Sequence, residues 1–411
     1  MPGAADEFVE TYRAACNACG VTAYEEIVEA VQHHGKGLEE KGGEVEEGKG
    51  QCASARGLRL ALHGNSLKLF SNRIQNTDLQ ALAAAVKETG ILVEELDLRF
   101  NQLTGQCAQA LVDLVMFGQL QKLVLASNEL CAQAIGPLAE VILSGKSSLT
   151  HLDLSHNPIG SAGGKALAPC LSSPDCTLLS LHLGSTEQDT DSLVALACAL
   201  GQNSSLEILN LDNARVFSRD DEITSHIAHV LSQHPTLQDV SLGQQQIRCA
   251  GAAILSEALF ENDRLRKLRL PGNQISIAGA ESLAKLLLSP KCTIELLDLE
   301  ANPVAKGTEA LSDALAYTRT LRVLRLAHCS IVDSSLARLA KRLASNASIT
   351  ELTLWGNHFG PTSSTLFYEL YHGRFKHCGV SIDIVPHVAS MLPDATEKQK
   401  ANSQVQIAQR S

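Results

Sequence analysis

The chain has 411 residues with 45 acidic and 34 basic side chains, a formal charge of −11 and no long basic run. Nucleic acid is therefore disfavoured as a partner, since neutralising phosphates needs many Lys and Arg groups. Hydrophobic residues make up 45% but aromatic ones only 4%, so the interior must be built from Leu, Ala, Ile and Val, and a chain this long should be several domains or a repeat array. No apolar stretch reaches the roughly 18 residues of a membrane span. The first ten residues carry Asp6 and Glu7 and do not read as a secretory signal. Twelve cysteines without such a signal read as reduced thiols of a cytosolic-type compartment, where the glycosylation-like triplets at Asn203 and Asn346 would have no role.

Phe8, Val9, Tyr12 and Cys16 share one helical face, and Thr22-Ala-Tyr-Glu25 has the spacing of a capping box opening a second helix through Val31. Residues 1–34 are expected to form a helical hairpin that caps the first repeat, with a partner-docking helix as the alternative. Residues 35–57, rich in Gly, Glu and Lys, are expected to be a flexible linker.

From Leu58 to Gly373 the chain repeats itself. Val93-Glu-Glu-Leu96-Asp-Leu98-Arg-Phe-Asn101-Gln-Leu103 returns as Leu120-Gln-Lys-Leu123-Val-Leu125-Ala-Ser-Asn128-Glu-Leu130, and again around Asn157, Asn273, Asn302 and Asn357. Taking the Asn slot as a marker gives Asn72, Asn101, Asn128, Asn157, Thr186, Ala214, Gln245, Asn273, Asn302, Cys329 and Asn357, at intervals of 27 to 31 residues. Each copy pairs a Leu-x-Leu strand with a helix. After Asn273, for example, Gly279-Ala280, Leu283-Ala284 and Leu287 fall on one helical face. The small residues are expected to let the helix lie close to the sheet. No single copy could cover its apolar face, so about eleven copies must stack.

This pattern resembles the leucine-rich repeats of ribonuclease inhibitor, the Ran GTPase-activating protein, tropomodulin and the nucleotide-sensing innate receptors. The resemblance implies an α/β solenoid, a horseshoe with parallel strands on the concave face and helices on the convex face. It also implies that the Asn amide bonds backbone groups of neighbouring coils. Ala214 cannot make that bond, so local irregularity is expected there.

After Trp355 and a last helix near Pro361–Tyr371, the alternation Val380, Ile382, Ile384 predicts one extended segment, within residues 374–392, that closes the C-terminal edge. Residues 393–411 read as a disordered tail. Phe367-Tyr-Glu-Leu-Tyr-His-Gly-Arg-Phe375, followed by Ile382-Asp-Ile-Val-Pro-His-Val388, resembles the close of the leucine-rich repeat-containing protein 34 family. Members of that family are linked to ciliated and germ cells, so this short segment implies a ciliary or cytoskeletal setting.

Candidate chemistry is sparse. Cys16-x-x-Cys19 has no second CxxC and falls in a helix. His226, His229 and His234 form a loose metal-like spacing but read as solvated or rim residues. Cys107, Cys198 and Cys249 occupy small-residue slots and read as packing. Gly145-Lys146-Ser147 imitates the end of a phosphate loop, but Glu140 stands where its first Gly belongs, and the next element is a strand. The expectation is therefore no metal, no cofactor, no small-molecule substrate, no membrane and no enzymatic activity. The GTPase-activating relatives use an arginine on the early repeats, for which Arg73 and Arg99 are the candidates, and an acidic tail, which does not follow the repeats here. A GTPase regulator and a soluble inhibitor resembling ribonuclease inhibitor are the alternative functions.

Within each strand the residues flanking the leucines face the open wall. The middle positions read Lys68, Asp97, Val124, Asp153, His182, Asn210, Ser241, Arg269, Asp298, Arg325 and Thr353. Arg269, Asp298 and Arg325 alternate in charge, with Lys267, Glu300 and Trp355 beside them. These charges could simply neutralise one another on a solvated face. The functional reading is a protein-docking patch, because Trp and Arg are the types most enriched at hot spots. Lys267, Arg269 and Arg325 then suit a partner segment carrying an acid and an apolar anchor. The expectation is a non-enzymatic scaffold or adaptor for protein partners, cytoplasmic or cytoskeletal, with a ciliary axoneme as the specific setting.

Overall fold

The Leu-x-Leu segments form short parallel strands and the intervening Gly/Ala/Leu segments form helices, alternating along the chain. The structure, a computed structural model, describes residues 3–39, 57–215, 221–388 and 405–409. It falls into two units, Met1–Asn210 and Leu211–Ser411. Each is an α/β solenoid of strand–helix coils. No helix among the described residues is long and apolar enough to cross a membrane.

In the first unit, helices α1 (Ala4–Cys19) and α2 (Glu25–Glu39) precede the coils. The coils run β1 (Leu58–Ala61), α3 (Asn76–Thr89), β2 (Val93–Asp97), α4 (Ala108–Gly118), β3 (Lys122–Val124), α5 (Ala132–Leu143), β4 (His151–Asp153), α6 (Gly160–Ser172), β5 (Ser180–His182), α7 (Thr190–Leu200) and β6 (Ile208–Asn210). The strands pair parallel in chain order from β1 to β6. Phe8, Val9, Tyr12 and Cys16 of α1 are buried. The Tyr24 N–H donates to the Tyr12 hydroxyl (3.3 Å), and the Tyr24 hydroxyl donates to Asp78 of α3 (3.3 Å). The helical pair is thereby tied to the first coil. Helix α2 opens at Glu25, with the Ile27 and Val28 N–H groups donating to the Tyr24 carbonyl, and continues past Val31 into the stretch read as linker. The rest of that stretch, 40–56, lies outside the described residues.

The first coil departs from the sequence reading. Register pairs Leu60 with Leu96 and Ala61 with Asp97, so the strand is Leu58–Ala61, not the segment around Lys68. Asn65 thus stands level with Asn101, and Lys68 and Asn72 lie in an excursion between strand and helix. Leu67 and Phe70 there are 102% and 65% exposed. Leu67-Lys68-Leu69 imitates a strand because alternation within three residues cannot tell a strand from a turn.

In the second unit the order is α8 (Glu222–Gln233), β7 (Asp239–Ser241), α9 (Cys249–Leu259), β8 (Lys267–Arg269), α10 (Ile277–Leu287), β9 (Leu296–Asp298), α11 (Thr308–Leu315), β10 (Val323–Arg325), α12 (Asp333–Leu343), β11 (Glu351–Thr353), α13 (Pro361–Leu370), α14 (Lys376–Cys378), β12 (Ser381–Ile382), β13 (Ile384–Val388) and β14 (Val405–Gln409). Strands β7 to β12 pair parallel in chain order. The C-terminal segment is not one strand. The Asp383 carboxylate accepts from the Leu354 and Trp355 N–H groups (2.7 and 2.9 Å), taking over from backbone carbonyls and ending the parallel pairing at Ile382. Ile384–Val388 then pairs antiparallel with Val405–Gln409, so part of the stretch read as a disordered tail is a strand. Ile407 in that strand is half-buried.

The leucines on either side of the residue that ends each strand are buried, as Leu268 and Leu270 about Arg269 and Leu297 and Leu299 about Asp298 show. At Gly279 the missing side chain makes room both for Ile275 of its own coil, 2.7 Å from an added Cβ, and for the neighbouring helix. A Cβ on Gly279 of α10 would come within 3.2 Å of Ala252 and Cys249 of α9.

From β2 to β11 each coil leaves its strand through a residue in the left-handed region: Phe100, Ser127, His156 and Ser185 in the first unit, and Asn213, Gln244, Gly272, Ala301, His328 and Gly356 in the second. Only two are Gly, and at Gly356 a Cβ would overlap the His328 ring. The Asn slot is the next residue. The Asn302 amide donates to the Leu270 and Leu299 carbonyls (2.8 and 3.0 Å) and accepts from the Ile275 N–H (3.0 Å). Asn101 and Asn157 repeat the pattern. Where the slot varies, Thr186 donates to the Leu183 carbonyl, Gln245 to that of Leu211 and Cys329 to that of Leu299. Residues 216–220, just after Ala214, lie outside the described residues.

Candidate protein-binding face

A strand of three residues buries its central side chain and turns the two flanking ones to the open face. In the second unit this brings Arg269, Asp298 and Arg325 side by side on β8, β9 and β10, in direct register. Lys267 lies one turn of the pleat before Arg269, and Glu300 and Trp355 lie just beyond β9 and β11.

The three cations are all engaged. Lys267 stands 3.6 Å from Asp239, and Arg269 pairs with the same carboxylate. Arg325 lies between Asp298 (3.8 Å) and Glu351 (2.9 Å). Burial holds Arg269 below the usual guanidinium range, and the neighbouring Arg325 adds to this. Burial pushes Asp298 above the usual carboxylate range, and the Glu300 carboxylate adds to it, although Asp298 also accepts from the Glu300 N–H (3.0 Å). Glu300 accepts from the Thr353 hydroxyl (2.7 Å). Trp355 is half-buried rather than fully outward, its backbone N–H fixed by Asp383.

The sequence reading missed Asp239 and Glu351, the carboxylates that hold these cations. Both occupy the strand's first position, level with Lys267, so reading that column across all strands would have found them. On the first unit's strand face Asp97 is bonded by Arg99 (2.6 and 2.9 Å) and faces His63 (3.0 Å), while Glu95 lies near Arg59 and Lys122. Of the two candidate arginines, Arg99 is thus forked onto a carboxylate, and Arg73 lies over the Phe70 ring at 5.6 Å.

Comparison with known proteins agrees on the repeat. A family model described as Leucine Rich repeat matches residues 145–168, the turn into β4, the strand and the start of α6. The chain is 28% identical to the ribonuclease inhibitor of Sus scrofa over 345 residues, covering 74% of this chain and 75% of that protein. The fold is that of a leucine-rich-repeat solenoid. The chain is also 30% identical to the NACHT, LRR and PYD domains-containing protein 5 of Homo sapiens over 269 residues, covering 64% of this chain. It spans only 22% of that relative's length. A solved internalin from Listeria monocytogenes aligns over 69% of this chain and 78% of its own at 16% identity, with a TM-score of 0.37.

The remaining sequence candidates are absorbed by the repeat. Asn203 and Asn346, the glycosylation-like triplets, are 4% and 2% exposed. Each caps the turn from helix to strand: Asn346 donates to the Leu315 carbonyl (2.7 Å) and accepts from the Ser348 and Ile349 N–H groups (2.9 Å each). Asn203 does the same with Leu171, Ser205 and Leu206, and Asn262 with Leu231, Arg264 and Leu265.

His234 occupies this same slot. Its Nδ1 accepts from the Thr236 and Leu237 N–H groups (3.3 and 3.2 Å). It is buried, not a rim residue, and burial lowers its pKa to about 4. His226 and His229 are exposed on α8, and no group of three metal-ligating side chains forms among the described residues. Ser147 of the phosphate-loop look-alike accepts from the Leu149 N–H at the equivalent turn. Cys107 is buried as read, but Cys198 is exposed and Cys249 half-buried against Ser276 (2.9 Å).

Proposed function

We propose that this protein is a non-catalytic binding module, a scaffold or adaptor whose docking surface for protein partners is the strand face of the second unit, around Lys267, Arg269, Asp298, Glu300, Arg325 and Trp355. The observation that carries this reading is the concentration of interlocked charges on β7–β11 with the chain's single Trp at their edge. Ion pairs on a solvated face contribute little to stability, about 0–1 kcal/mol each, whereas Trp and Arg in such a setting are characteristic of interface hot spots. The test is recovery of native partners by the full chain. Trp355→Ala should weaken binding by at least about 2 kcal/mol, the hot-spot threshold, and Arg325→Glu should weaken it further. Lys87→Glu, on α3, should leave it unchanged. Equal recovery by Trp355→Ala and the unaltered chain, at matched folded fraction, moves the docking surface elsewhere.

A soluble inhibitor is the second reading, favoured by the alignment with three quarters of a ribonuclease inhibitor. Suppression of ribonuclease activity by the purified chain tests it directly. The ciliary or axonemal setting is supported by the Phe367–Phe375 and Ile382–Val388 segments alone, and co-purification with tubulin-containing assemblies tests it. The GTPase-regulator reading gains nothing from Arg73 or Arg99, since both guanidinium groups are already engaged.

A further inference from the structure

Neighbouring helices of the second unit meet side chain to side chain, and one of these contacts is left incomplete. Helices α9 and α10 touch near their N-terminal ends, around Gly279. Toward their C-terminal ends a gap of about 400 Å³ opens between them on the helix face. Buried Ser256 and Leu286 form its floor, Ala253 and Ser282 stand on its two sides, and Phe260, 42% exposed, ends it. Both serine hydroxyls turn back onto their own helices, Ser256 donating to the Ala252 carbonyl (2.7 Å) and Ser282 to that of Ala278 (3.1 Å). The gap therefore shows methyl and methylene surface to an arriving group.

Two coils further on, the same place is filled. Leu255 of α9 and Leu283 of α10 correspond to Leu311 of α11 and Leu339 of α12. In that register Ala253 and Glu257 give way to Glu309 and Asp313, and Ser282 and Leu286 to Arg338 and Arg342. Arg338 pairs with Glu309 (3.4 Å) and Asp313 (2.5 Å), and Arg342 pairs with Asp313 (3.0 Å). Two arginine side chains thus lie across the α11–α12 contact where the α9–α10 contact is open. Glu257 keeps the acid of that arrangement without its cation: among the described residues no Lys or Arg stands within ion-pair distance of it. Lys285 borders the gap, but it holds the position of Lys341, which takes no part in the α11–α12 pairs. Glu261, at the same edge, is already paired with Lys291 (2.6 Å).

We infer that the α9–α10 gap takes an Arg side chain of a partner protein, with its guanidinium on Glu257 and its methylenes between Leu286 and the Phe260 ring. Arg suits the place because its planar fork bonds a carboxylate and also lies over an aromatic ring. An apolar residue beside that Arg has a surface to cover. Phe260 and Leu288, 42% and 50% exposed, end adjoining helices, and the Ser289 hydroxyl donates to the Phe260 carbonyl (2.7 Å). This surface lies on the helices and does not rest on docking at the strand face.

The full chain is made with ring-fluorinated phenylalanine, and the Phe260 resonance is identified by its loss in Phe260→Leu. It is titrated with a blocked Leu-Arg-Leu tripeptide and separately with the same peptide carrying citrulline, the uncharged isostere, in place of Arg. The Arg peptide should move the Phe260 resonance with a Kd below about 10 mM, more weakly as salt rises. The citrulline peptide should leave it in place. Glu257→Gln should raise the Kd at least about threefold. Ser282→Arg places a guanidinium where Arg338 stands in the filled contact, and should abolish the shift while the chain stays folded. An unmoved Phe260 resonance, an equal shift by the citrulline peptide, an unchanged Kd in Glu257→Gln, or an undiminished shift in folded Ser282→Arg overturns the inference.

Discussion

Each coil turns two corners, one from strand to helix and one from helix to strand, and the two solve the same problem differently. At the strand exit the backbone passes through the left-handed region, which costs a non-glycine residue about 1–2 kcal/mol, and the next side chain must compensate. The Asn there donates to two carbonyls and accepts one N–H, bridging its own coil to the one before, as Asn302 does. Asn fills most of these slots, and Thr186, Gln245 and Cys329 at least retain a donor to a backbone carbonyl. At the helix exit the essential task is to accept N–H groups of the adjoining turn. Asn203, Asn262 and Asn346 do this and also donate back one coil, whereas the Nδ1 of His234 accepts the same pair of N–H groups. Both corners are met most fully by Asn, and each tolerates a side chain that keeps part of the bonding: a donor at the strand exit, as in Thr186, Gln245 and Cys329, and an acceptor at the helix exit, as in His234.

The largest expected effect lies between the corners. Leu268→Ala on β8 should cost about 2–5 kcal/mol through lost burial and a cavity, measured by denaturant unfolding, and it sets the scale against which both corners are judged. Asn302→Ala should cost up to about 3 kcal/mol, since it leaves buried backbone groups unpaired on two coils. Asn346→Ala should cost less. If Asn346→Ala proves the more damaging, the helix exit and not the strand exit is the more demanding corner.

The histidine corner makes the difference visible in pH. His234 titrates at about 4 in the folded chain and near 6.5 when unfolded, so between those values only the unfolded chain binds the proton. Stability is full above the unfolded value and falls as pH drops toward the folded one. From pH 7 to 5 the loss should be about 2 kcal/mol. His234→Asn should remove that part of the pH dependence, and an unchanged slope in that variant would assign it to other groups. The smallest effect is at the strand exit. Ala301, held in the left-handed region, should accept Gly with a change within about 1 kcal/mol, because relief of strain offsets the added chain entropy. A large loss would mean that the Ala301 side chain has a role beyond the turn.

The sequence by itself determined the repeat, its period and its two alternating elements, because burial of leucines imposes a period of two on a strand and 3.6 on a helix, and stacking repeats both. It also marked the strand-exit asparagines and the six residues proposed as the docking face. It misplaced the first strand, since Leu67-Lys68-Leu69 satisfies the local pattern while the neighbouring strand pairs with Leu58–Ala61. It divided the C-terminal edge wrongly, since the pairing of Ile384–Val388 with Val405–Gln409 joins residues far apart in the chain. The tertiary structure alone decided that Asn203, Asn346 and His234 share one structural task, and that Asp239 and Glu351 occupy the cations of the strand face. Local pattern records which side chains are buried. Which charge meets which depends on the register between coils, and that is fixed only when one repeat is laid against the next.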